Sequence, residues 1–381
     1  MQLGVGQSDA IDAQAAIQQA LDHAEASLDG PANAALLFAA LDYDHPVLLA
    51  EIARRHPGVC IIGGSSDGEF GSHTGFHEDS VSLMLIRDPT VEFRLGLGRG
   101  LSTNPEGVMQ AALQQAIGDR GQPALVFTSP DGLAGNISGV LRGAAQVLDQ
   151  GVPLIGGTTG DHWLFERCLV FCGQAVLSDA VPVLTLHGDL RSSVGVASGW
   201  TPIGSTMTVT HIEGNVLHSL DGRPAFGVFE EQFGELVRSP FGEYPLAVFE
   251  GDSFYLRAVF QVDEAAGTVI LAAEIPQGAT VRLTNVMHEH ILDGTRASVQ
   301  QAVDGWSGGQ AAGAFVVSCA ARKWMLGHRA GEEYDVAVES LRAAGVSGPV
   351  AGFFSFGEIA PIGERNRFHN ETCVTLLLGG A

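Results

Sequence analysis

Short apolar runs alternate with amphipathic stretches along this chain, and Gly-rich polar turns separate them. "AALLFAAL" from residue 34 and "VCIIGG" from residue 59 read as buried strands. Between them "HPVLLAEIARRHPG" carries one apolar stripe and stops at Pro57-Gly58, which predicts a helix. An earlier helix is predicted over residues 8–28, capped by Ser8, with Ile11, Ile17, Leu21 and Leu28 on its apolar face.

The strand, helix, strand, Gly-turn grain recurs from residue 124 and again from residue 314, with turns beginning at Gly63, Gly156 and Gly352. The second interval is a little over twice the first. A degenerate fourth copy is therefore expected near residue 249, where "YPLAVFEGDSFYLRAVF" follows a helical stretch within 224–237. Repeats this long suggest duplicated α/β units rather than a solenoid. Strand-like segments follow each turn ("VSLMLIRDPTVEFRLGLG", "CLVFCGQAVLSDAVPVLTLHG", "TCVTLLLGG"), so antiparallel pairing is expected and the sheets should be mixed. The fold class is α/β with α+β character: two similar modules of repeated strand–helix–strand units. The Gly- and Ser-rich stretch "DLRSSVGVASGWTPIG" suggests the boundary, giving modules 1–190 and 191–381.

Composition narrows the partners. The 381 residues are 45% hydrophobic and 17% charged, as expected for a globular chain, and no apolar run is long enough for a membrane span. The N-terminus lacks the basic and apolar regions of a secretory signal, so a cytoplasmic protein is expected. The net charge of −23 argues against nucleic acid and against anionic membranes. Five scattered cysteines, Cys60, Cys168, Cys172, Cys319 and Cys373, argue against a disulfide framework.

Each turn closes a strand with small hydroxyl residues and one acid: Ser65, Ser66 and Glu69; Thr158, Thr159 and Asp161; Ser355 and Glu358. Ligands settle where strand ends converge, hydroxyls donate and accept, and a carboxylate anchors an ammonium. These turns are candidates for a shared polar pocket, and the repeated acids argue against a phosphate cradle. Locally bonded hydroxyls and glycines with special backbone angles are the alternative reading. Arg322 and Arg257 are candidates for an anionic group, with structural ion pairing or solvent exposure as alternatives. Cys319, at the end of "GAFVVSC", would reach the same edge as His369 and Asn370. A cysteine, a histidine and a carboxylate permit a thiol nucleophile, although no nucleophile signature surrounds them. Metal signals are poor: His73 and His77 flank Gly75, and His288 and His290 would share a strand face. "LGLGRG" at 95–100 lacks the spacing of a dinucleotide fingerprint.

The C-terminal "GFFSFGEIAP" followed by "RFHNETCVTLLL" resembles the closing segment of the FIST family of bacterial sensory proteins. "SCAARKWMLG", "GGSSDGEF", "VTHIEGNVLHSLDGRPA" and "EIPQGATVRLT" extend the resemblance over roughly residues 30–378. The resemblance implies a non-enzymatic, ligand-sensing signal-transduction protein that binds a small polar metabolite such as an amino acid and needs no cofactor. With no output segment left over, its partner would be a separate signalling protein such as a histidine kinase or cyclase. A haem-binding nitric-oxide sensor of the same family is the alternative, and a Cys319-dependent hydrolase or transferase a further one.

Overall fold

The fold is taken from a computed structural model, which describes residues 1–238 and 243–380. Its plan is one unit repeated three times. The first unit runs β1 (Gln2–Ser8), α1 (Ala13–Glu25), β2 (Ala34–Ala39), α2 (His45–Arg55), β3 (Cys60–Ser65), a hairpin of β4 (Glu69–Gly71) and β5 (Gly75–His77), and β6 (Val81–Arg87). The second repeats it as β7 (Glu92–Arg99), α3 (Pro105–Ile117), β8 (Leu125–Thr128), α4 (Ile137–Ala145), β9 (Leu154–Gly157), a hairpin of β10 (Val170–Cys172) and β11 (Ala175–Leu177), and β12 (Ala180–His187).

The third unit opens with β13 (Leu190–Ala197) and is interrupted by an inserted antiparallel sheet. That insertion comprises β14 (Thr201–Glu213), β15 (Val216–Leu220), β16 (Arg223–Pro224), α5 (Ala225–Phe233), β17 (Leu246–Glu250), β18 (Ser253–Arg257), β19 (Val259–Asp263), β20 (Thr268–Leu271) and β21 (Thr280–Asn285). The unit then resumes with α6 (His288–Asp304), β22 (Gly313–Cys319), α7 (Ala320–Leu326), α8 (Ala330–Ala343), β23 (Val350–Ser355), a hairpin of β24 (Glu358–Ile362) and β25 (Arg365–His369), and β26 (Cys373–Gly380).

Each unit contributes a parallel pair flanked by antiparallel strands: β2 with β3, β8 with β9, and β22 with β23. No unit keeps its own hairpin. β10–β11 extends β3 of the first unit, β24–β25 extends β9 of the second, and β4–β5 extends β23 of the third. The exchange closes a ring of three six-stranded sheets. Their inner faces meet at Phe38, Phe127, Phe315 and Phe353, with Phe38 and Phe353 stacked at 3.6 Å. Helices cover the outer faces. Strands buried on both faces gain from apolar residues at every position, hence the unbroken runs in the sequence.

Helix starts follow local chemistry. Asp12, Asn104 and Asn136 accept backbone N–H groups of Ala15, Gly107 and Ser138 to cap α1, α3 and α4. The first helix is therefore shorter than the predicted 8–28. Ser8 ends strand β1, and Ile11 is 99% exposed. β1, β7 and β13 share one device: Gly6, Gly96 and Gly195 let a helix lie directly on the strand. A Cβ there would sit 1.7, 1.9 and 1.8 Å from a carbonyl oxygen of α1, α3 and α6 respectively. That is the role of "LGLGRG".

The mixed α/β class and the repeated units are as the sequence implies. The expected fourth copy is instead the β17–β18 hairpin, paired antiparallel inside the inserted sheet, although a helix does form within 224–237. Strands from both sides of residue 190 pair in two of the three ring sheets.

Candidate functional site

The three turns meet at one end of the ring. Ser65 Oγ donates to the Gly160 carbonyl at 2.7 Å, the Thr158 N–H donates to the Gly357 carbonyl at 2.9 Å, and the Asp67 N–H donates to the Phe354 carbonyl at 3.0 Å. The turns thus converge, but their acids face inward. Ser66 donates to Glu69 Oε1, while Ser80 gives Oε2 its hydroxyl at 2.7 Å and its N–H at 3.2 Å. Glu358 repeats the arrangement: Ser355 Oγ reaches Oε1 at 2.9 Å, and Thr372 gives Oε2 its hydroxyl at 2.7 Å and its N–H at 3.1 Å. Burial pushes Glu69 up to about 8 and Glu358 up to about 7, against these hydrogen bonds. Asp161 accepts the N–H groups of Phe165, Glu166 and Arg167 at 2.7–3.0 Å. All three acids are engaged within the protein.

The remaining candidates divide in the same way. Ser65 also accepts the Leu169 N–H, and Thr159 bridges Pro130 and Gly132. Arg322 is fully buried and pairs with Glu333 at 2.8 Å. It also donates to Thr295 and to the carbonyls of Ser198, Ile291 and Glu371. Burial opposes its charge most strongly of any single cause, yet Glu333 together with the neighbouring Cys373 and Cys319 holds the guanidinium above its ordinary value. Arg257 donates to the carbonyls of Leu256, Phe368 and Glu274 and lies 4.6 Å from the Tyr255 ring centre. Both guanidiniums are engaged within the protein. His369 bonds the Ala360 carbonyl, and burial pushes its imidazole down to about 4, leaving it neutral.

A cleft of about 240 Å³ lies where the second and third turns meet the inserted sheet. Of the predicted residues it is lined by Thr158, Cys319, Ser355 and Asn370. Its walls are aromatic: Trp163, Phe165, Phe260 and Phe356. Phe165 stacks on Phe356 at 5.3 Å and meets Phe260 edge-on at 5.4 Å; Trp163 lies 5.6 Å from Phe356. Trp163 and Phe165 sit on a loop with φ near +60° at His162, Trp163 and Phe165, a region that side chains other than glycine adopt only under constraint. The Asp161 carboxylate supplies that constraint.

Glu371, which the sequence reading passed over, completes the lining. It is 0% exposed, holds φ at +60°, and neither carboxyl oxygen has a hydrogen-bond partner among the described residues. Burial first, then the neighbouring Glu358, pushes it well above the usual carboxyl range, against the pull of Arg322. Burial, then Glu358 and Glu371, likewise pushes the Cys319 thiol well above its ordinary value. The sulfur is a protonated thiol, a weak nucleophile.

The histidine pairs singled out in the sequence stand apart from the cleft. His73 stacks on His23 at 3.7 Å, and His288 and His290 lie in the first turn of α6, not on a strand. His211, Glu213 and His218 do bring ligand atoms within 4.8 Å of one another, on the exposed β14–β15 hairpin. All five cysteines are unpaired.

The FIST N domain model matches residues 33–223 and the FIST C domain model residues 225–361. The chain belongs to the FIST family. FIST domains are sensory modules of signal transduction. The FIST protein is similar to the uncharacterized protein MT0656 of Mycobacterium tuberculosis, 27% identical with 98% of each chain covered. It is also similar to Mb0898c of Mycobacterium bovis, 27% identical over 58% of this chain and 59% of that one. Among solved structures it is similar to a cyanuric acid hydrolase from A. caulinodans at TM-score 0.40 and 8% identity, covering 100% and 99% of the two chains. A chorismatase gives TM-score 0.32 and 11% identity, covering 92% and 94%. Likenesses at that level carry no inference about chemistry. No described helix of the FIST protein is long and apolar enough to cross a membrane.

Proposed function

We propose that this FIST protein is a cytoplasmic ligand sensor in which a small molecule bound in the aromatic cleft changes how the inserted sheet sits on the ring, for a separate effector such as a histidine kinase or cyclase to read. The supporting observation is the cleft's composition. Thr158, Ser355 and Phe356 come from the ring's turns, Cys319 from β22, and Val259, Phe260 and Leu271 from the inserted sheet. A ligand there touches both bodies, so its binding energy is available to bias their packing.

The ligand's partners in this reading differ from those first expected. Glu69, Asp161 and Glu358 hold their own turns, and Arg257 and Arg322 hold backbone. Thr158, Ser355 and Asn370 remain to orient a ligand, with Glu371 added. Thermal-shift screening of the whole protein against amino acids, amines and single-ring metabolites tests the proposal. A stabilisation that Phe260→Leu reduces supports it, and a flat response across the panel counts against it.

For the haem alternative the fit is poor. Among the described residues lining the cleft, Cys319 alone could serve as an axial donor, and no histidine or methionine is present. Titration with haem, followed by the Soret band, tests that reading separately.

A further inference from the structure

The cleft is unusual in its charge balance. Its one ionisable acid with unmet hydrogen-bonding capacity, Glu371, is wholly buried, and among the described lining residues there is no arginine, lysine or histidine. The cations in reach are committed elsewhere: Arg322 to Glu333 and five other oxygen acceptors within the protein, Arg257 to three carbonyls. A ligand carboxylate would therefore find no positive partner among the lining residues and would meet Glu371 instead.

The backbone of Glu371 is also held in place. A glutamate at φ +60° costs about 1 kcal/mol or more relative to an ordinary conformation. Arg322 fixes its carbonyl at 3.5 Å, and Thr372, the next residue, is tied to Glu358 through both its N–H and its hydroxyl. The carboxyl of this lining residue is thus held without an internal donor. A buried carboxyl with unsatisfied oxygens is costly unless a donor arrives, and an ammonium brings both donors and the positive charge that would draw Glu371, which burial holds toward its protonated form, into the carboxylate form.

The walls point the same way. Trp163, Phe165, Phe260 and Phe356 line the space, and aromatic rings attract cations through their quadrupole. An apolar cavity of about 150 Å³ accommodates one benzene ring. The 240 Å³ here has room for a ring with a short aminoalkyl arm.

We infer that the cleft of this FIST protein recognises a small organic ammonium ion that carries no carboxylate of its own, with Glu371 as counter-ion and the four aromatic side chains as the cage. The inference rests on the ligand-sensing reading and narrows it: an amine in place of a zwitterionic amino acid.

The test is calorimetric titration of the full-length protein with four probes of similar shape: 2-phenylethylamine, 2-phenylethanol, 3-phenylpropionate and phenylalanine. The amine should bind about tenfold or more tightly than the alcohol, as a charge-assisted contact to a buried carboxyl requires. The carboxylate and the amino acid should be weaker than the alcohol. Glu371→Gln should remove the amine's advantage while leaving the alcohol's affinity within about twofold. Phe260→Leu, at a 45% exposed wall residue, should weaken the amine about threefold or more. If Glu371→Gln does not fold, the probe series on the native protein and Phe260→Leu still decide. Equal or tighter binding of the alcohol, carboxylate or amino acid overturns the ammonium inference while leaving a ligand-binding cleft. No binding by any of the four overturns it as well. In that case the sensing reading stands or falls separately, on the wider thermal-shift panel.

Discussion

Arg322 donates to the backbone carbonyl of Glu371 at 3.5 Å, so the arginine expected to grip a ligand instead fixes the backbone of the residue that lines the cleft. The same guanidinium holds Glu333, its partner in a wholly buried ion pair. Arg322→Ala would leave Glu333 charged, buried and unpaired, and should destabilise the protein by about 3–5 kcal/mol in chemical denaturation. A milder loss would mean that the pair is solvated, contrary to this geometry.

Glu69 and Glu358 predict a pH dependence with a definite sign. Both hold their protons to about pH 8 and about pH 7, against an ordinary value of 4.5. The folded state therefore binds protons that the unfolded chain has released. The stability from these groups is fully present below pH 4.5 and is lost as pH rises through 7 to 8. The loss amounts to on the order of 3 kcal/mol per group by pH 9. Glu358→Gln mimics the protonated form, so its melting temperature should match the native protein at pH 5 and exceed it at pH 9. A native melting curve that rises from pH 5 to 9, with the variant running parallel, would refute this.

Asp161 stabilises the aromatic loop by accepting three backbone N–H groups. Asp161→Ala should cost about 1–3 kcal/mol. It should also expose Trp163 to water, seen as a red-shifted fluorescence component, and weaken any ligand of the cleft.

The glycines of β1, β7 and β13 give a comparison within one protein. Gly6→Ala, Gly96→Ala and Gly195→Ala each place a methyl against a helix carbonyl and should each destabilise by about 1–3 kcal/mol or more. Gly227→Ala, in α5 with nothing within 4 Å of the new Cβ, should instead stabilise by up to about 1 kcal/mol.

Cys319 should alkylate slowly at neutral pH, because its thiol is buried and protonated. Iodoacetamide labelling followed by mass spectrometry checks this. Labelling faster than that of a free thiol would revive a nucleophilic role.

Much of the ring was legible in the sequence because doubly buried strands announce themselves. "AALLFA" is apolar throughout, "LVFT" and "AFVVSC" are apolar but for Thr128 and Ser318, and Gly-rich turns separate such runs. β1 was not legible: the pattern assigns no element to "QLGVGQ" until α1 is seen to require its glycines. The β17–β18 hairpin was mistaken for a repeat because "FEGDSF" imitates the Gly–acid turns. The sequence placed the acids at the strand ends but could not show which way they face. Ser80 and Thr372, which close on Glu69 and Glu358, lie 11 and 14 residues beyond them. Glu371 stood beside Asn370 without any distinguishing pattern; its importance comes from burial and missing partners. "DHWLFER" did carry a signal, since large aromatics in a polar loop have something to cover.

The exchanged hairpins make each unit at once a donor and a receptor of sheet edge. A fragment ending at residue 190 would keep the first sheet whole. It would bare one edge of β9, where β24–β25 belongs, and leave β4–β5 without β23 to extend. One open socket and one loose plug of the same shape, in every copy, is the arrangement that links chain to chain. Only the complete circuit fills all three hairpin sockets from within, so continuity from β1 to β26 is what keeps this protein from linking chain to chain through its own repeat.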